Sequence, residues 1–306
     1  MKHTLKITLL ILGLFIATQL LGLVILNDYR PEVLVFTFNG TEVNQTVHNL
    51  PYGLEPPQQE PAYSLISFII AFILAIGLMV AIMRSNLIII MRIWFAIVIV
   101  LALSVSLYAL LPDHAAKTLS AGGLALLLAA WKLGKGNKYI HNATEVLVYP
   151  GIAALLVPIL SVSTIFIILI LMSLYDAWAV WHSGFMQKLA HYQMQEVKIF
   201  SGLFIPYMVK GTQALLHKAR KTGKMPKGLK IQVAILGGGD LIFPLLCAGT
   251  VFFAHGLIPA LFIIVGSTLA LAYLLLASQK GKFYPALPYL TVGCVLGYLP
   301  TLVSNL

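Results

Sequence analysis

Apolar residues run along this chain in long unbroken blocks, set apart by short polar turns, with little of the alternation that marks half-buried helices or strands. A block of about 20 apolar residues reads as a membrane-crossing helix. The blocks predict nine such helices: 5–26, 63–83, 87–111, 119–133, two within 143–181, then 230–254, 257–278 and 283–303. The 143–181 run is too long for one helix and is divided by Pro158 with Ser161 and Ser163, while 119–133 is the shortest block and contains Gly122 and Gly123. The first block, 22 residues long, suits a spanning helix better than the 7 to 15 apolar residues of a signal-peptide core. Residues 27–62 are polar, with five prolines and an alternating run through Val33, Val35 and Thr37. That run predicts a short strand or hairpin, and it is the one stretch where β-structure is expected. A second polar stretch, 182–229, is basic, and its 185–200 portion is amphipathic enough to lie along a membrane surface.

Composition agrees: 59% of the 306 residues are hydrophobic and 10% are charged, which excludes a water-soluble globule. The net charge of +10 is informative only through its placement. Lysine and arginine accumulate in cytoplasmic loops. With the N-terminus inside, nine spans put 18 of the 20 basic residues on the inner side and leave only Arg30 and Lys117 outside. The expected architecture is therefore an all-α, multi-pass protein of the cell membrane with nine helices, a cytoplasmic N-terminus and an extracytoplasmic C-terminus. It divides into a six-helix part (1–181, with the outer loop 27–62), the basic inner loop (182–229) and a three-helix part (230–306), all one integrated membrane domain. The basic loop suits contact with anionic lipid, and a nucleic-acid partner is not needed to explain the charge. Cys247 and Cys294 lie in apolar runs and read as small buried hydrophobes, and no histidine spacing forms a metal site. No metal or cofactor is expected.

Of ten acidic residues, eight lie in loops or near predicted membrane boundaries, Glu145 among them. Asp176 and Asp240 instead interrupt apolar helices, where a carboxylate costs about 2.5 to 3.5 kcal/mol on insertion scales. One such aspartate could simply be paired for packing. Two at matching depth say more: Asp176 sits about six residues from the inner end of its block, and Asp240 about ten residues from Lys230 on a helix running the other way. At ~1.5 Å per residue the depths are roughly 9 and 15 Å from the same face. Adjacent carboxyls do not readily both ionise, so one holds a proton while the other stays charged, which suits general acid and general base work on a shared water. Gly237, Gly238 and Gly239 precede Asp240, weakening the helix and giving close access to the carboxyl, although small residues also serve plain helix packing. Tyr175 precedes the other aspartate, within reach of a hydrogen bond near the pair. Pro285, Ala286, Leu287 and Pro288 open the last block and leave backbone groups free to receive an extended chain, or simply start a helix.

Tyr175-Asp176 in one span, Gly237-Gly238-Gly239-Asp240 in the next and Pro285-Ala286-Leu287 in the last resemble, in order and spacing, the YD, GxGD and PAL motifs of the presenilin and signal peptide peptidase family of intramembrane aspartyl proteases. The resemblance covers the whole chain. It implies Asp176 and Asp240 as the catalytic pair, with Tyr175, the three glycines and Pro285 to Leu287 as conformational and substrate-binding support. An inside N-terminus places the chain with presenilin-like members, whose prokaryotic relatives act without accessory subunits. The implied substrates are single-span membrane proteins with the N-terminus outside. Gly238 departs from the family pattern, where a larger apolar residue is common, and implies an altered cleavage preference. Two rival readings are a transporter or channel using the aspartates as ion ligands, which predicts an internal repeat that is not visible, and a prepilin-type peptidase, which has fewer spans and no proline motif.

Overall fold

The computed structural model describes residues 5–38, 41–47, 50–53, 61–85, 87–135, 137–183, 201–208, 231–279 and 284–304. Nine α-helices lie within these residues: α1 (Leu5–Asp28), α2 (Pro61–Ser85), α3 (Ile88–Leu110), α4 (Lys117–Lys135), α5 (Lys138–Leu156), α6 (Val162–Trp178), α7 (Gly238–His255), α8 (Leu257–Ala277) and α9 (Leu287–Ser304). Seven are long and apolar enough to cross a bilayer. The others are α4, which carries three lysines, and α9, whose apolar run spans only Leu287–Val303. This is an integral membrane protein.

The breaks follow the local chemistry. Pro158 falls in a 3₁₀ turn, Val157–Ile159, that separates α5 from α6, and the Ser161 hydroxyl then caps α6 by accepting from the Thr164 N–H. The 143–181 block is thus two helices, as its proline and serines predict. Residues Glu32–Phe38 (β1) and Thr41–Val47 (β2) form the expected antiparallel hairpin.

A second hairpin was not expected. Gly202–Met208 (β3) pairs antiparallel with Ile231–Gly237 (β4), Gly202 opposite Gly237. The 230–254 block is therefore not one helix: Ile231–Gly237 is a strand, and α7 begins at Gly238. Gly237 ends the strand and is the N-cap of α7, while Gly238 and Gly239 lie in its first turn. In strand form, Ala234 and Leu236 point into the core while Ile235 faces out, and β3 completes the hydrogen-bond ladder. The loop 182–229 likewise contains β3, while the amphipathic 185–200 stretch lies outside the described residues.

The core is centred on α7, the most enclosed of the spans. It packs against α1, α5, α6, α8 and α9. In contrast, α2 lies at the edge against α3 and α6, with Leu65, Phe68 and Phe72 packed on the core and many of its other apolar side chains exposed. Helices α8 and α9 approach so closely that a Cβ on Gly293 would stand 2.7 Å from the Ala270 Cβ. Small residues permit this intimacy where apolar lipid supplies no hydrophobic drive between helices. Polar side chains tie the remaining helices: Tyr29 donates to the Val105 carbonyl of α3 at 2.7 Å, and Ser106 of α3 donates to the Leu147 carbonyl of α5 at 2.6 Å.

Candidate active site

Because α7 starts at Gly238, Asp240 lies in its first turn and not ten residues into a helix. Gly237 is the N-cap, and the Asp240 carboxylate accepts from the Gly237 N–H. A side chain on the third helical residue reaching back to the N-cap amide is one half of a capping box, and it satisfies a donor that lipid cannot. Further along α7, Pro244 has no N–H for the Asp240 carbonyl four residues before it. Beside that weak point Gln19 of α1, fully buried, donates from Nε2 to the Leu241 carbonyl at 2.9 Å.

Asp176 lies at the other end of an antiparallel helix, two residues before α6 gives way to a π-helical turn, Ala179–Ser183. It is 5% exposed. Its Oδ2 accepts the Leu287 N–H at 3.1 Å, and the carboxylate also accepts from the Ala286 amide. Pro285 is buried, and α9 begins at Leu287. The proline motif therefore does not leave these two amides unpaired: Asp176 caps α9 from a different helix. Thr291 reinforces the α6–α9 contact by donating to the Leu169 carbonyl at 3.3 Å.

The two aspartates come within electrostatic reach of each other. Each stands at the positive end of a helix dipole, Asp240 at that of its own helix and Asp176 at that of α9. Negative charge is stabilised in both places.

The remaining predicted residues fall around this pair unevenly. Tyr175 packs edge-on against Phe72 of α2, centroids 5.4 Å apart, and lies beside Trp178. Gly238 is tightly enclosed, since a Cβ there would lie 2.6 Å from the Tyr149 hydroxyl and 3.1 Å from Ser201 Oγ. Gly239 has room, the nearest atoms to its absent Cβ being those of Phe243 at 3.9 Å. An apolar groove of about 660 Å³ opens between α8 and α9, bordered by Pro288, Tyr289 and Trp181, and neither aspartate lines it.

Sequence reasoning missed several contributors. Glu145, read as a boundary acid, is 2% exposed and ion-paired with Lys132 of α4 at 2.5 Å. Gln19 carried a usable signal, a polar amide inside an apolar span, which by itself marks a buried partner. Tyr149 and Asn142 carried none, because both types are common near membrane boundaries.

The family description "Signal-peptide peptidase, presenilin aspartyl protease" matches residues 33–305, and so includes both aspartates and all three motifs. No curated protein matches. Two solved structures are similar. One, described as a presenilin family intramembrane aspartate protease in C222 space group, superposes with a TM-score of 0.62 at 20% identity, covering 97% of this chain and 99% of the other. A second, of a presenilin family intramembrane aspartate protease in P2 space group, gives 0.62 at 18% identity over 96% of each chain. These likenesses speak for the fold. The match over most of the sequence speaks for kinship: the chain belongs to the signal-peptide peptidase, presenilin aspartyl protease family.

Proposed function

We propose that this protein is an intramembrane endopeptidase of the GxGD type, in which Asp176 and Asp240 activate one water to cut a peptide bond within the transmembrane segment of a single-span protein. The observation that supports this reading is that each of two aspartates from different apolar helices stands at a helix N-terminus, Asp240 in the first turn of α7 and Asp176 on the first amide of α9. The charged carboxylate takes a proton from the water as its oxygen attacks the scissile carbonyl carbon. The protonated carboxyl gives its proton to the carbonyl oxygen, leaving a neutral tetrahedral diol. In collapse the C–N bond breaks, the nitrogen takes a proton from the carboxyl that had received one, and the diol returns a proton to the other. The protons belong to the pair, so neither aspartate is assigned a fixed role. Catalysis needs no metal or cofactor in this scheme.

Nine spans with an inside N-terminus remain the proposed topology, with α4 and α9 completing the set. The two helices are marginal for independent insertion, but α4 buries its Lys132 against Glu145 and α9 is capped by Asp176, so packing supports both. The orientation places the dyad toward the inner leaflet and suits single-span substrates with the N-terminus outside, without accessory subunits. Single cysteines introduced at Glu42 and at Lys224 are expected to react with membrane-impermeant reagents from opposite sides. Labelling from the same side overturns the topology.

Purified protein in liposomes, given a single-span substrate, is expected to yield fragments whose new termini, read by mass spectrometry, fall inside the span. A hydroxyl-bearing transition-state analogue of aspartyl proteases is expected to stop the reaction. Absence of cleavage, or cleavage indifferent to the analogue, sinks the reading.

A further inference from the structure

One face of α5 is polar in an otherwise apolar assembly: His141, Asn142, Glu145 and Tyr149 follow each other at spacings that keep them on one stripe. Three of the four hold β3 or the residue before it. His141 Nε2 bonds the Gly202 carbonyl at 2.9 Å. Asn142 donates to the Phe204 carbonyl at 3.0 Å and accepts the Phe204 N–H at 2.9 Å. Tyr149 shares a hydrogen bond of 3.2 Å with Ser201. Asn142 thus satisfies both backbone groups of one β3 residue, as a neighbouring strand would. Glu145 fixes the stripe from behind through its ion pair with Lys132.

The consequence reaches the site through one ladder rung and one contact. Gly202 lies opposite Gly237, the N-cap that Asp240 holds. The Tyr149 hydroxyl occupies the place a side chain on residue 238 would take. We propose that the polar stripe of α5 is the template that seats the Gly237–Asp240 segment, with Tyr149 as a positioning residue for Asp240. This rests on the protease reading. It also explains why residue 238 is glycine here: Tyr149 and Ser201 fill that volume, and a larger residue at 238 demands a smaller one at 149.

The test is a double-mutant cycle on the purified full-length protein, with kcat and KM for a single-span substrate and thermal unfolding for each variant. Gly238→Ala is expected to lower kcat at least tenfold with KM changed less than about threefold, because the displaced turn moves Asp240 while the apolar groove between α8 and α9, which residue 238 does not line, is untouched. Adding Tyr149→Phe removes the obstructing oxygen, and the double variant is expected to be at least about fivefold faster than Gly238→Ala alone, a rescue that Tyr149→Phe does not give in the wild-type background. Wild-type kcat in Gly238→Ala, or a double variant no faster than the single, overturns the proposal. If the wild-type protein cleaves nothing, the protease reading falls separately. The Tyr149–Gly238 contact is then judged by unfolding temperature, where additive shifts overturn it and a compensating shift sustains it.

Discussion

Asp176→Asn and Asp240→Asn are each expected to reduce cleavage by at least 10²- to 10⁴-fold, roughly the contribution of one positioned acid or base. The double variant is expected to be no slower than the worse single one, since two groups serving one water act as a unit. Asparagine is the sharper probe because of what else the carboxyls do. Asp176 receives the Ala286 and Leu287 amides, and alanine would leave those donors buried without an acceptor, at roughly 1–3 kcal/mol for each unsatisfied group. Asparagine keeps a carbonyl oxygen for α9 and for the Gly237 amide and removes only the titrating function. Asp176→Ala is accordingly expected to lose both activity and thermal stability, and Asp176→Asn activity alone. Initial rates measured beside unfolding temperature separate the two. Either asparagine variant retaining more than about 1% of the wild-type rate would remove that residue from the catalytic pair.

The largest expected loss of stability lies away from the aspartates. Lys132→Met takes the lysine from the Glu145 carboxylate and leaves it only His141, 3.9 Å away; the side chains of the lost pair are 2% and 3% exposed, and breaking a buried pair by removing one member costs about 3–5 kcal/mol. Glu145→Leu is expected to cost a similar amount by stranding the lysine. Replacing both together, Lys132→Met with Glu145→Leu, is expected to recover most of the loss, because well-packed apolar residues of similar volume are often as stable as a buried ion pair. Unfolding in detergent followed by thermal melting reads all three. A double variant as unstable as the singles would mean that the charges themselves hold α4 against α5. An unchanged melt in Lys132→Met would mean that the pair contributes nothing.

The two sites differ in how much a linear reading could extract. Asp176 and Asp240 stand out in any arrangement, since a carboxylate inside an apolar run is costly whatever surrounds it. Glu145 is as buried as Asp176 yet passed for a boundary acid, because it lies two residues inside an apolar block and its partner Lys132 closes the block before. Hydropathy puts both at a helix end, and only the packing of α4 on α5 takes them out of water. The strand β4 was hidden for a related reason: 231–237 is as apolar as a helix start, and its partner β3 lies more than twenty residues upstream in a polar loop. Strand pairing is a non-local interaction, absent from any window of the sequence. The proline motif shows a third kind of gap, since its free amides were legible but their acceptor, 111 residues away, was not.

What the sequence alone determined about this protein is its medium and its chemistry. Apolar blocks long enough to span a bilayer, divided at Pro158, set most helix boundaries, and the two costly acids marked the candidate reactive groups. Tertiary structure alone decided how those groups are held: Asp240 in a first helical turn behind a strand, Asp176 as the cap of a helix it does not belong to, and Gly238 pressed against Tyr149. The physical reason is that a bilayer leaves every backbone donor and acceptor to be satisfied from within the protein. Those partners come from whichever helix packs alongside, and adjacency in the membrane is not written in the order of the chain.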